Sequence, residues 1–259
     1  MFDRLFSVEN RVIVLTGACG LIGRTLSEAL KERGARLALV DLPAAQPEEF
    51  AARIGGESYG IPCDVSKSED VAKLVELVLQ RFGRVDVLIN NHQYKPKGFT
   101  SAQAETFSEE LWDAIVDVNL KGTFLTCRDF GRLMIEQGKG SIINVASTYG
   151  IVSSDPSLYR GNSLGNPVAY SASKGAVIML SKYLGAYWAA RGVRVNCVTP
   201  HGVWNSQEPA FVELFSNKSP MRRLMSAEEV IGAIVFLASD ASSYATGSNL
   251  LIEGGWTAW

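Results

Sequence analysis

Short apolar runs alternate with helix-period segments along the whole chain, and this rhythm restricts the architectures open to it. Residues 11–16 read as a strand, 21–33 as a helix, Arg36–Asp41 as a strand, Ser68–Phe82 as a helix and 85–90 as a strand. The pattern continues with a long helix over 108–136, a strand over 140–146, a helix carrying Tyr170 and Lys174, and a strand over 193–199. A helix over 227–237 and a last strand at Asn249–Ile252 complete it. Strands this uniformly apolar need cover on both faces, which a parallel sheet wrapped by crossover helices supplies. The expected fold class is therefore α/β, a doubly wound domain with a seven-stranded parallel sheet and helices on both faces, one strand more than the six runs named above.

Composition adds bounds rather than detail. The 259 residues are 47% hydrophobic and 20% charged, with no repeat, low-complexity tract or compositional break, which predicts a single domain over 1–259. The net charge of −2 comes without a basic stripe, so no nucleic-acid partner is expected. No apolar stretch reaches 18 residues and the N-terminus lacks a basic segment followed by an apolar run, so a cytoplasmic protein without a membrane partner is expected. Cys19, Cys63, Cys127 and Cys197 have no metal-type spacing and read as buried thiols; no metal site is expected.

Between the first strand and the first helix lies Thr16-Gly17-Ala18-Cys19-Gly20-Leu21-Ile22-Gly23. Glycines there allow a tight turn and let a helix N-terminus approach a pyrophosphate, which backbone N–H groups and the helix dipole stabilise. The strand before and the helix after are the context that this dinucleotide fingerprint requires, and they make the domain Rossmann-type. The second strand ends in Asp41, 24 positions after Gly17, where a ribose-binding acid falls. A carboxylate there accepts hydrogen bonds from ribose hydroxyls and repels a 2′-phosphate. Leu42 follows it and offers no compensating cation, so NAD is the expected cofactor.

Tyr170 and Lys174 stand one helical turn apart in Tyr170-Ser171-Ala172-Ser173-Lys174, so both side chains can enter one cleft. A phenol with a pKa of about 10 is a poor proton carrier at neutral pH, and a neighbouring ammonium lowers that value.

Taken together, the glycine turn, Cys63-Asp64-Val65, Asn90-Asn91, Val118-Asn119, Ser147, the Tyr170 to Lys174 segment, Val195-Asn196-Cys197-Val198-Thr199-Pro200 and Glu253-Gly254-Gly255 resemble the single-domain branch of the short-chain dehydrogenase/reductase family. The resemblance spans essentially the whole chain. It implies that Tyr170 is the general acid/base, that Ser147 hydrogen-bonds the reacting oxygen, and that Lys174 lowers the tyrosine pKa and holds the nicotinamide ribose. Asn119 would support a water that relays protons to Lys174. Asp64 and Val65 would flank the adenine, and Asn90 would sit by the cofactor or brace the sheet. Gly17, Gly20, Leu21, Ile22, Gly23, Asp41, Pro200, Gly202 and Val203 complete the cofactor contacts that the resemblance and the fingerprint imply. The expected activity is hydride transfer between nicotinamide and a secondary alcohol or ketone. A 3-oxoacyl carrier-protein reductase is the alternative enzyme, disfavoured by Asp41, and a catalytically silent cofactor-sensing or scaffold protein is the alternative from another class.

This chain departs from the family pattern at Gly20-Leu21, whose spacing is closer to the extended branch, at His92-Gln93 after Asn90-Asn91, and at His201-Gly202 after Pro200. Each histidine reads either as a second proton carrier or as a side chain that fills space or bonds a loop. Two stretches, 149–167 and 202–225, lack clear periodicity and follow strand ends, where substrate loops belong. The first carries Ser153, Ser154, Ser157, Tyr159, Arg160, Asn162, Ser163 and Asn166 and suits a hydroxyl-rich or anionic substrate, sugar- or polyol-like. It also resembles, more weakly, a subgroup associated with bacterial surface-sugar pathways. In the second, Phe211, Phe215, Met221 and Met225 read as a mobile apolar lid or as the loop's own packing; Arg222 and Arg223 read as structural. Apolar residues beyond those needed for one sheet face, among them Phe124, Phe130, Met134, Val177, Leu180, Leu184, Tyr187 and Trp188, predict a partner surface. The resemblance implies a homodimer or homotetramer built there, with Trp256 and Trp259 reaching a neighbouring subunit.

Overall fold

In the computed structural model, residues 4–96, 99, 103–159, 165 and 167–259 are described. Arg160, Asn162, Ser163 and Asn166 of the predicted polar loop lie outside them.

The apolar runs form seven parallel strands: β1 (Val12–Thr16), β2 (Arg36–Asp41), β3 (Ser58–Pro62), β4 (Val87–Asn90), β5 (Gly140–Val145), β6 (Val193–Pro200) and β7 (Asn249–Ile252). Their order is β3-β2-β1-β4-β5-β6-β7. The strand missing from the sequence reading is β3, whose Ser58-Tyr59-Gly60-Ile61-Pro62 is too mixed to stand out as an apolar run. Its register is fixed by pairing, from Leu37 opposite Ser58 to Asp41 opposite Pro62. Gly60 is required there, because a Cβ would lie 2.1 Å from the Pro47 carbonyl oxygen.

Alternation within each strand builds two cores. Ile13, Leu15, Leu37, Leu39, Val87 and Ile89 face one side, where α1 (Leu21–Glu32) and α8 (Ile231–Ala238) pack. Val12, Val14, Ala38, Val40 and Leu88 face the other, under α3 (Ser68–Phe82), α5 (Thr123–Glu136) and α6 (Val168–Trp188). Every β1 residue is buried, as a central parallel strand requires.

The predicted long helix over 108–136 is α4 (Glu109–Val116), a six-residue π-helical stretch at Asp117–Gly122, and α5. A π-bulge of this kind re-aims side chains locally, and it centres on Asn119. Two short helices absent from the sequence reading are α2 (Pro47–Ile54) and α7 (Pro209–Ser216), the latter inside the 202–225 stretch.

The apolar surplus assigned to a partner surface is mostly consumed within the chain. Phe130, Met134, Val177, Leu184 and Trp188 are buried, because α5 and α6 pack closely enough that a Cβ on Gly131 would meet the Trp188 ring at 2.5 Å. Phe124 and Tyr187 stay exposed, joined by Met179 and Tyr183. Cys63, Cys127 and Cys197 are buried and Cys19 is half-buried. Among the described residues, no helix is long and apolar enough to cross a membrane, and no group of three or more His, Cys, Asp or Glu could hold a metal ion.

Candidate active site

The chain leaves β1 for β2 and β3 and then returns to β4 on the other side of β1, so a crevice opens where the C-terminal ends of β1 and β4 diverge. A cleft of about 1250 Å³ fills it.

One end is built from backbone. Gly17 has φ +63°, and a Cβ there would come within 2.9 Å of His92 Cα, so the turn tolerates no side chain. A Cβ on Gly23 would lie 2.1 Å from the Gly17 carbonyl oxygen, so glycine alone lets the first turn of α1 fold onto the loop. Gly20 has slack by comparison, with its nearest neighbour 3.4 Å from a built Cβ. Gly17, Gly20, Leu21 and Ile22 line the cleft, and Gly23 lies behind them. Asp41 closes this end. Its Oδ2 accepts from Cys19 N at 2.8 Å and its Oδ1 from Leu42 N at 2.8 Å, which ties the glycine turn to the end of β2. Asp64 and Val65 line the wall after β3, and hydrogen bonds from Ser66 hold the Asp64 carboxyl below its ordinary range against the opposing effect of burial.

The other end is built from side chains. Ser147, Tyr170, Lys174, Pro200, Gly202 and Val203 all line it. Tyr170 donates from its hydroxyl to Gln93 Oε1 at 3.3 Å, and Phe99 meets its ring edge-on at 5.8 Å between ring centres. Burial pushes the Tyr170 phenol above its usual pKa, while the Ser147 hydroxyl pulls it down. The expected lowering by Lys174 is therefore not the net result here. Lys174 Nζ sits 5.9 Å from the Tyr170 ring centre and donates to Val145 O at 2.8 Å. Desolvation draws the ammonium down to about 8, with the charge of Lys95 adding to the effect, so less positive charge remains to favour a phenolate.

Two predicted residues stand behind the cleft instead of in it. Asn90 donates to Asn144 Oδ1 at 2.9 Å and accepts from Thr126 Oγ1 at 2.8 Å, so of its two readings the contacts match a brace across the sheet. Asn119 is fully buried. Its Oδ1 accepts from Tyr94 N at 2.9 Å and its Nδ2 donates to Ser173 Oγ at 3.2 Å, which couples the segment after β4 to the helix carrying Tyr170.

The two histidines differ. His92 Nδ1 lies 2.7 Å from Thr16 Oγ1 and Nε2 lies 3.2 Å from Thr123 Oγ1. Because the Thr123 hydroxyl already donates to Asn119 O at 2.8 Å, the network assigns the ring proton to Nε2. Burial and the Lys174 charge hold this ring neutral, with a pKa of about 3. His201 packs against Phe215 at 4.9 Å and Trp256 at 5.3 Å between ring centres, and its buried Nε2 has no hydrogen-bond partner. Burial draws it to about 4. A neutral ring at physiological pH fits the space-filling reading of each better than the proton-carrier reading.

Both loops bound this end. Tyr149, Leu158, Phe211, Phe215, Leu224 and Trp256 form one buried cluster, with Tyr159 and Tyr170 against it. The Tyr149 and Tyr159 hydroxyls meet at 2.6 Å, and Lys218 pairs with Asp155 at 2.5 Å across the two loops. Met225 is buried with the first core, whereas Met221 is exposed. Arg223 holds Glu229 through two short hydrogen bonds, as a structural residue would. Trp256 packs into this cluster, and Trp259 is exposed. Sequence reasoning missed Lys95 and the pairing of Tyr149 with Tyr159; the cue for Lys95 was the polar run His92-Gln93-Tyr94-Lys95 directly after the strand that ends at Asn90.

A family model described as enoyl-(acyl carrier protein) reductase matches residues 17–257. The D-threitol dehydrogenase of Mycolicibacterium smegmatis is 36% identical over 97% of this chain and 95% of its own length. The chain belongs to the short-chain dehydrogenase/reductase family. A short-chain dehydrogenase of Leptospira borgpetersenii with bound NAD+ superposes with a TM-score of 0.89 at 30% identity, over 99% of this chain and 96% of that one. A gluconate 5-dehydrogenase of Burkholderia cenocepacia in complex with NADP and tartrate gives 0.88 at 29% identity, over 99% and 98%.

Proposed function

We propose that this protein is an NAD-dependent oxidoreductase that moves a hydride between nicotinamide and a secondary alcohol or ketone of a polyol- or sugar-like substrate, with Tyr170 as the general acid/base. The observation that carries this reading is the convergence of Ser147, Tyr170 and Lys174 on one cleft whose opposite end is a glycine cradle that admits no Cβ at Gly17 or Gly23.

The residues present fit a dinucleotide. Gly17, Gly20, Leu21 and Ile22 would hold the pyrophosphate at the α1 N-terminus, Asp41 the adenosine ribose, and Asp64 and Val65 the adenine. Lys174 would hold the nicotinamide ribose, flanked by Pro200, Gly202 and Val203. When bound, the nicotinamide supplies or accepts the hydride. Tyr170 then takes the alcohol proton or returns it, Ser147 donates a hydrogen bond to the reacting oxygen, and Asn119 fixes the geometry between the Gln93 segment and α6. General acid–base help of this kind contributes about 10²–10⁴-fold.

NAD is supported over NADP by the Asp41 carboxylate in the lining, which accepts from ribose hydroxyls and repels a 2′-phosphate. The polyol class is supported by the names of the threitol and gluconate dehydrogenases above. The description of the family model favours a second reading, reduction of the double bond of an enoyl chain carried as a thioester. Initial rates with NAD+ on a panel of C4 to C6 polyols, compared with NADH and NADPH on an enoyl thioester and a 3-oxoacyl thioester, test the two; faster reduction of either acyl chain would replace the first reading by the second.

A further inference from the structure

The described lining of the cleft holds two lysines, and only one has a partner among the described residues. Lys174 is anchored on Val145 O, whereas Lys95 lines the substrate end with no ion pair or hydrogen bond to a described residue. The acids of the same lining are engaged elsewhere or do not reach it. Asp41 bonds the glycine turn, Asp64 bonds Ser66 and Lys67, and Asp117 pairs with Lys121 at 3.1 Å. Glu208, just before α7, has a partner of its own and makes no ion pair with Lys95. The residues outside the described set contain no acid except Asp3, at the N-terminus.

Lys95 is also held in place by its chain. It follows Gln93, which touches the Tyr170 hydroxyl, and Tyr94, whose N–H is fixed on Asn119 Oδ1. Lys95 is exposed at the cleft mouth, and desolvation by the surrounding walls draws its ammonium below the ordinary lysine value. Its charge in turn depresses Lys174. Two ammonium groups on one cleft wall, neither in an ion pair among the described residues, favour an anion between them.

We propose that Lys95 binds an anionic end group of the substrate, so that the polyol chain brought to Tyr170 ends in a carboxylate or a phosphate. An ammonium acts on either as a compact point charge, without the planar fork of arginine. This inference rests on the dehydrogenase reading of the cleft and narrows its substrate class.

The test is calorimetric titration of the NADH-saturated protein with threitol, threonate and threitol monophosphate, three ligands that share a four-carbon polyhydroxy chain and differ at one end. At least one anion should bind about tenfold or more tightly than threitol, a difference of about 1.4 kcal/mol. Lys95→Met should abolish that advantage, Lys95→Arg should keep most of it, and threitol affinity should be the same in all three proteins. Which anion wins identifies the end group. Equal affinity for anions and threitol, equal weakening of all three ligands by Lys95→Met, or no binding of any would overturn the proposal. Lys95-dependent anion binding without NAD+ reduction would preserve it and defeat the dehydrogenase reading. Turnover of threitol without any anion advantage would do the reverse.

Discussion

The two ends of the cleft are made of different material. At the Asp41 end the constraints are backbone against backbone: the missing Cβ atoms of Gly17 and Gly23 and one carboxylate fixed by two N–H groups. At the Tyr170 end they are side chain against side chain: a phenol on an amide, an ammonium on a carbonyl, and an aromatic cluster shared by two loops. The first kind of construction has few solutions and is tied to local sequence; the second has many and depends on which loops meet. A shared cofactor with divergent substrates follows from that division, since loops can change without disturbing the turn.

The sharpest division comes from Tyr170→Phe, expected to lower turnover by at least 10²-fold while leaving the NADH dissociation constant within about twofold, read by initial rates and NADH fluorescence. Retention of more than a tenth of the activity would remove Tyr170 from the acid/base role. Gly23→Ala should give the opposite profile. Its Cβ overlaps the Gly17 carbonyl oxygen, so NADH affinity should fall at least tenfold and the unfolding midpoint should drop, with a cost of about 1–3 kcal/mol measured by denaturant titration. Asp41→Ser should then raise kcat/KM with NADPH relative to NADH by about tenfold or more, because a carboxylate that repels a 2′-phosphate is gone.

The histidines give a pH test of the same contrast. A buried imidazole whose folded pKa lies below its unfolded value of about 6.5 contributes stability that is present above pH 6.5 and lost as pH falls towards the folded value. His92, at about 3 when folded, should therefore make unfolding free energy fall below pH 6.5 by about 1.4 kcal/mol per pH unit. His92→Gln should flatten that slope in urea titrations between pH 6.5 and 4.5. The smallest effect belongs to His201, already neutral at pH 7 with a pKa of about 4. His201→Ala should leave the pH–rate profile between pH 6 and 9 unchanged in shape, and a displaced limb would restore it as a proton carrier.

Much of this architecture was legible in the sequence because burial on two faces and glycine turns leave direct marks there. Six strands were located from apolar runs; β3 escaped because Ser58, Tyr59 and Pro62 do not mark an edge strand as apolar. The converse holds on α5 and α6, where Phe130, Met134, Val177, Leu184 and Trp188 are buried within the chain: an apolar excess looks the same in sequence whether a helix covers a sheet and its neighbour or meets another chain. The charge state of Tyr170 was also out of reach, since four-residue spacing puts Lys174 on the right face but says nothing of Val145 O or of Lys95.

By itself, then, the sequence determined the strand and helix alternation, the glycine cradle with its acid, and the pairing of a phenol with an amine on one helix face. All of these are set by bonded geometry and local periodicity. Only the tertiary structure decided that Asn90 and Asn119 brace the site from behind, that both histidines are neutral, and that Lys95 lines the cleft without an ion pair among the described residues. Those outcomes depend on desolvation and on partners far away in the chain, which no local pattern encodes.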